Sequence, residues 1–212
     1  MLKTKHIILL LIPAILLAAF GFFIRVVQYE PLYPQVPATT ESPPIIPITS
    51  EDPILGNPRA STTLIIFEDF ACDHCKDLHH DLDTLLQQYP NKIKIVVKGL
   101  PVARFPYRTE PAHEYGYCAR AQGKYDAFAR LAFANNSALS SATLERIANE
   151  ASLDKTKLAD CLAGDKPKNY RDTVATLAEG LHIASVPAIF LNNVQINPPD
   201  TVEGWKEVLE LK

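Results

Sequence analysis

Residues 63–86 read TLIIFEDFACDHCKDLHHDLDTLL, and the change of period inside this stretch decides the architecture. Thr63 to Phe67 is a continuous apolar, β-branched run, the pattern of a strand covered on both faces. After Cys72, apolar positions recur at three- and four-residue steps: Cys75, Leu78, Leu82, Leu85 and Leu86. That periodicity predicts a helix from about Asp73 to Gln88, ended by Tyr89-Pro90-Asn91. Ile93–Val97 then reads as a second strand, so the unit is strand, helix, strand, with the strands parallel.

Working outward, residues 110–180 are helical in character. Segments 112–122, 125–135, 142–150, 156–163 and 169–179 are separated by Gly, Asn, Ser or Pro. Beyond them, Ala188–Leu191 and Val194–Ile196 flank Asn192-Asn193, a two-residue hairpin signal because asparagine tolerates positive φ. A last helix opens after Asp200 or Thr201. The order is βαβ, a helical block, then ββα. Upstream, Pro53–Gly56 is a candidate edge strand.

The N-terminal part does not read as globular. Residues 7–24 carry no charge over 18 positions, near the minimum for a transmembrane helix. Residues 1–27 are therefore expected to anchor the chain in a membrane, with a cleavable signal peptide as the alternative. Residues 28–52 are taken as a linker and 53–212 as the domain. Eight prolines between Glu30 and Ser61 favour extended polyproline II and a semi-rigid spacer. A net charge of −3, without basic clusters, excludes an electrostatic footprint for nucleic acid.

Four cysteines in an exported chain suit a disulfide-permissive compartment. Cys72 and Cys75 are two residues apart, a spacing open to an electron-transfer dithiol, half a metal site or a structural staple. Export and the strand-to-helix junction favour the dithiol. At the start of a helix, unpaired amides and the helix dipole stabilise a thiolate. Cys72 is expected to be the attacking thiol, and Cys75, one turn on, the resolving one. Protonated His74 should lower the Cys72 pKa and Asp73 should raise it. In the metal reading, Cys72, Cys75 and His79, with His80 adjacent, form an open copper or zinc site. Otherwise both histidines belong on the solvated helix face. Cys118 and Cys161 are expected to pair within the helical block, two buried free thiols being the alternative. Val186-Pro187, just before a core strand, suits a cis bond, and a trans loop proline is the other choice.

On these residues the chain resembles the DsbA-like branch of the thioredoxin superfamily, in its exported or membrane-anchored form, from about Ile54 to Leu211. The carrying segments are LGNPRASTTLIIFEDFACDHC, HEYGYCARAQGKYDAFARLAFAN, LADCLAG and ASVPAIFLNN. The resemblance implies an α/β thioredoxin fold with a helical insertion over about 110–180 and a protein-disulfide oxidoreductase needing no cofactor. Disulfides would pass to exported, cysteine-containing proteins, by way of Cys72 and Cys75, with a reductase or isomerase as the alternative. A membrane redox partner would reset the dithiol, and the domain would lie on the extracytoplasmic, periplasmic side. Val186 would pair with substrate through its backbone while Pro187 covers the dithiol. Cysteines at the positions of Cys118 and Cys161 also match. Two departures stand out. Asp73 takes the place of a usual proline, and Ile66 occupies the position of a buried acid that shuttles protons, leaving Glu68, Asp69 or water for that task.

Overall fold

The computed structural model describes residues 17–23 and 44–211. Residues 17–23 are helical and exposed; the rest of the expected 7–24 apolar segment lies outside the described residues, as does most of the linker. Among the described residues no helix is long and apolar enough to cross a membrane.

Residues 44–211 pack as one unit around a five-stranded sheet of order β1-β3-β2-β4-β5. The strands are β1 (Ile54–Gly56), β2 (Thr62–Glu68), β3 (Ile93–Gly99), β4 (Ala188–Leu191) and β5 (Val194–Ile196). β2 sits at the centre, parallel to β3 and antiparallel to β4. Its unbroken apolar run has a direct cause, since successive side chains point to opposite faces and both faces are covered. Leu64 and Ile66 enter one core with Phe70, Leu82 and the helical block. Ile65 and Phe67 enter the other, with Val96, Val174, Ala188 and Phe190.

Helix α1 (Asp73–Gln88) follows β2 and buries Cys75, Leu78, His79, Leu82 and Leu85, one face at helical spacing. The insertion holds α2 (Glu110–Ala121), α3 (Tyr125–Ala134), α4 (Ser141–Glu150), α5 (Lys155–Ala163) and α6 (Lys166–Gly180). Cys118 of α2 and Cys161 of α5 are disulfide-bonded across 43 residues. Closing a loop of that length contributes about 4 kcal/mol in the chain-entropy treatment. The hairpin residues Asn192 and Asn193 have φ of 49° and 70°, the left-handed conformation their type tolerates. Helix α7 (Val202–Val208) is capped by Thr201, whose hydroxyl accepts from the Gly204 amide at 3.1 Å.

The sequence reading ends the linker at residue 52, but residues 44–52 are bound to the sheet. Ile46 is buried at 2 % exposure, and its amide donates to Asn193 Oδ1 at 2.9 Å. Lys98, near the end of β3, donates to the Pro47 carbonyl at 2.8 Å and pairs with the Asp52 carboxylate at 2.8 Å. Tyr170 from α6 donates to the same carboxylate at 2.7 Å. Both charges are buried, so losing one partner strands the other in a low-dielectric setting. Asp52→Ala should lower the unfolding free energy by about 3–5 kcal/mol in urea titrations. Asp52→Leu combined with Lys98→Met should recover most of that loss.

Candidate active site

β2 ends at Glu68, and Asp69-Phe70-Ala71 turn the chain into α1. Cys72 is the N-cap of that helix, with φ −86° and ψ 120°, and its Sγ accepts the Cys75 amide at 3.1 Å. Few residues other than Ser, Thr, Asp and Asn present an acceptor at this point. Here sulfur takes that role, and the amide favours its negative form. The Cys72 thiol also donates to the Val186 carbonyl at 3.6 Å. Val186-Pro187 is cis and opens β4 beside β2, so the Cys72 sulfur, the carbonyl and the proline share one end of the sheet. The two cysteines are not bonded to each other; Cys72 is half-buried and Cys75 fully buried.

The two thiols titrate very differently. A hydrogen bond from the Cys75 thiol, aided by the Cys75 amide and His74 against burial and the Asp69 charge, brings Cys72 down to about 7. The same shared hydrogen and burial push Cys75 far above the ordinary thiol range. One sulfur thus ionises readily, while the other retains its proton. The acid whose field opposes the Cys72 thiolate is Asp69. Asp73, assigned that role from sequence, has its carboxylate held by Asn136 Nδ2 at 2.6 Å.

Asp69 and Glu68 are adjacent, buried and opposite in behaviour. Asp69 accepts from the amides of Val102 at 2.6 Å and Ala103 at 2.8 Å, from Thr109 Oγ1 at 2.9 Å and from the Ala71 amide at 3.1 Å. His113 Nε2 lies 3.4 Å away, its ring stacked on Phe70. Burial alone would raise the Asp69 pKa; His113 and the amides overcome this and hold it well below the usual carboxylate range. It is a permanent anion that fastens segment 101–109 beside the dithiol. Glu68 is 1 % exposed, and neither carboxyl oxygen has a hydrogen-bond partner among the described residues. Tyr125 is the polar side chain facing it, and burial, with the Cys72 charge, raises it to about 8. Glu68 is therefore the protonatable acid behind the dithiol. It lies four residues before Cys72, on the last position of β2, while Ile66 is apolar core.

His79 is not on the solvated face. It is buried at 4 % exposure against Phe133, ring centroids 4.7 Å apart, and burial lowers it to about 4. It lies one turn beyond Cys75 and one residue beyond Leu78, within the apolar stripe of α1. His80 is exposed. Among the described residues no three potential ligands gather into a metal site. Sequence reasoning did not reach Thr109 and His113, which come to the site from α2 and its N-cap across 40 and 44 residues. Gly99 offers the one local sign, because a side chain there would strike the His113 ring.

The thioredoxin family pattern matches residues 49–211. The chain belongs to that family. No curated protein matches it. Among solved structures it is similar to the thiol–disulfide exchange protein α-DsbA2 of Wolbachia pipientis, at 18 % identity and TM-score 0.68, covering 76 % of this chain and 87 % of that one. The catalytic domain of Proteus mirabilis ScsC aligns at 19 % identity and TM-score 0.67, covering 76 % and 89 %. A thioredoxin-like oxidoreductase of Silicibacter pomeroyi DSS-3 aligns at 22 % and 0.65, covering 76 % and 92 %. These likenesses establish the shared α/β fold with its helical insertion.

Two titrations test the site. Alkylation of Cys72 in the reduced protein should rise with pH through a midpoint of about 7, since only the thiolate reacts. Glu68 is held protonated where the unfolded chain has already ionised. Stability should therefore fall as pH rises from 4.5 to about 8, the window in which the unfolded state binds fewer protons. Glu68→Gln should remove that slope from urea titrations run across the same interval.

Proposed function

We propose that this thioredoxin-family protein is a thiol–disulfide oxidoreductase that passes disulfides to cysteine pairs of exported proteins. The observation that carries the reading is Cys72 capping α1 with its sulfur, 3.6 Å from the Val186 carbonyl beside cis Pro187. A substrate thiolate attacks the Cys72 sulfur of the oxidised Cys72–Cys75 pair and expels the Cys75 sulfur, forming a mixed disulfide. The released Cys75 thiolate takes a proton, for which the buried, protonated Glu68 is an internal source. A second substrate thiolate then attacks its own partner sulfur and releases Cys72 as the thiolate. Two electrons pass from substrate to protein, and a membrane redox partner removes them to restore the disulfide. Residues 7–24 would tether the domain on the extracytoplasmic face, with removal of the segment as a leader as the other outcome.

Reduction or isomerisation of wrongly paired cysteines is a second reading, and one feature favours it. Stabilising the Cys72 thiolate stabilises the reduced protein and so makes it a stronger oxidant. A Cys72 pKa of about 7 is modest stabilisation, with Asp69 working against it. Equilibration with glutathione separates a donor from a reductant. A potential above about −200 mV fits a disulfide donor, and one near −270 mV fits a reductant.

Both readings require covalent capture at one sulfur. Cys75→Ser should accumulate a mixed disulfide with a cysteine-containing peptide, visible by mass spectrometry and reversed by dithiothreitol. Cys72→Ser should form none.

A further inference from the structure

A groove of about 390 Å³ leads away from the dithiol. One wall is the face of α1 that carries His74, Asp77, Leu78 and Asp81, positions spaced i, i+3, i+4 and i+7. That face runs roughly 10 Å along the helix, the length of about three extended residues. The other wall is Ser185-Val186-Pro187 together with Pro198-Pro199-Asp200. Because Val186 is the residue whose carbonyl meets Cys72, the groove begins at the nucleophile. Trp205 lines the groove, fully buried, with an indole N–H that has no acceptor among the described residues. A peptide carbonyl is the partner such a donor lacks.

Away from His74 at the dithiol end, the charged side chains of the walls are acidic. Asp77, Asp81 and Asp200 line them, and no lysine or arginine does. Asp83, one turn-face away on the same helix, is by contrast paired with Arg130 at 3.3 Å. Three carboxylates along a half-enclosed groove focus a negative potential on whatever chain lies there.

Resting on the proposed thiol–disulfide exchange, we infer that this groove selects cysteine-containing segments whose neighbouring residues are lysine or arginine. Asp77, Asp81 and Asp200 set the preference. They touch the flanks of the substrate and take no part in bond exchange.

The test uses the oxidised full chain and three dithiol peptides that share one framework, with the flanking positions all Lys, all Gln or all Glu. Second-order rates are read by acid quench and mass spectrometry at about 0.01 M ionic strength, where charges act over about 30 Å. Lysine flanks also alter the peptide thiol itself, so the quantity compared is the Lys-to-Glu rate ratio in the wild type over that in Asp77→Asn/Asp81→Asn/Asp200→Asn. We expect about a tenfold difference, the sum of three modest surface pairings, collapsing at about 1 M salt. Asp81→Lys, which turns one attraction into a repulsion, should reduce the ratio about fivefold. If the triple variant loses its folded circular dichroism, Asp200→Asn alone should reduce the ratio about twofold. Equal ratios in wild type and variants, with all peptides exchanging, overturn this inference and leave the exchange reading intact. If no peptide exchanges, the exchange reading fails and takes the inference with it.

Discussion

A sulfur atom performs the task of an N-capping oxygen at the start of α1, and the rest of the site is organised around that substitution. The Cys75 amide needs an acceptor when the helix begins, and Cys72 Sγ supplies it at 3.1 Å. A local requirement of helix formation thereby becomes a means of lowering a thiol pKa. Its partner sulfur is held one turn later by the same helix, on the face that packs into the core. Exposure and burial are thus divided between the two cysteines by helical periodicity alone.

The sheet supplies what the helix cannot. Because β2 is central and covered on both faces, its end is rigid and dry. Glu68 and Asp69 occupy successive positions there, yet one remains protonated and the other ionised. Hydrogen-bond supply makes the difference. Asp69 has His113 beside it and receives four further donors at 3.1 Å or less, together enough to outweigh its desolvation, and it holds segment 101–109. Glu68 receives none among the described residues and is left neutral near the dithiol. Environment, and not residue type, assigns the two roles.

Much of this was legible in the chain because the signals are local. The shift from a continuous apolar run to helical spacing locates β2 and α1, and the structure begins and ends α1 at Asp73 and Gln88 as that spacing predicts. The hairpin asparagines and the Thr201 cap are equally short-range. Long-range partnerships were not legible. Asn136 is 63 residues from Asp73, so nothing near Asp73 reveals that its charge is already engaged. His79 reads as polar, although its position continues the Cys75–Leu82 stripe and Phe133 receives it. The proline content of residues 44–52 suggests a spacer, but Ile46 and Asp52 meet partners from β3, α6 and the hairpin that no local pattern discloses.

Trp205 is the chain's one tryptophan, and it is packed at the groove beside the cis-proline loop. Indole emission from this molecule therefore originates at a single point, close to the reactive sulfurs and free of any background from the helical insertion. The protein carries its own optical probe at the place where a client peptide would lie. Quenching by a nearby disulfide, or a spectral shift on docking, can be followed in real time without attaching a dye.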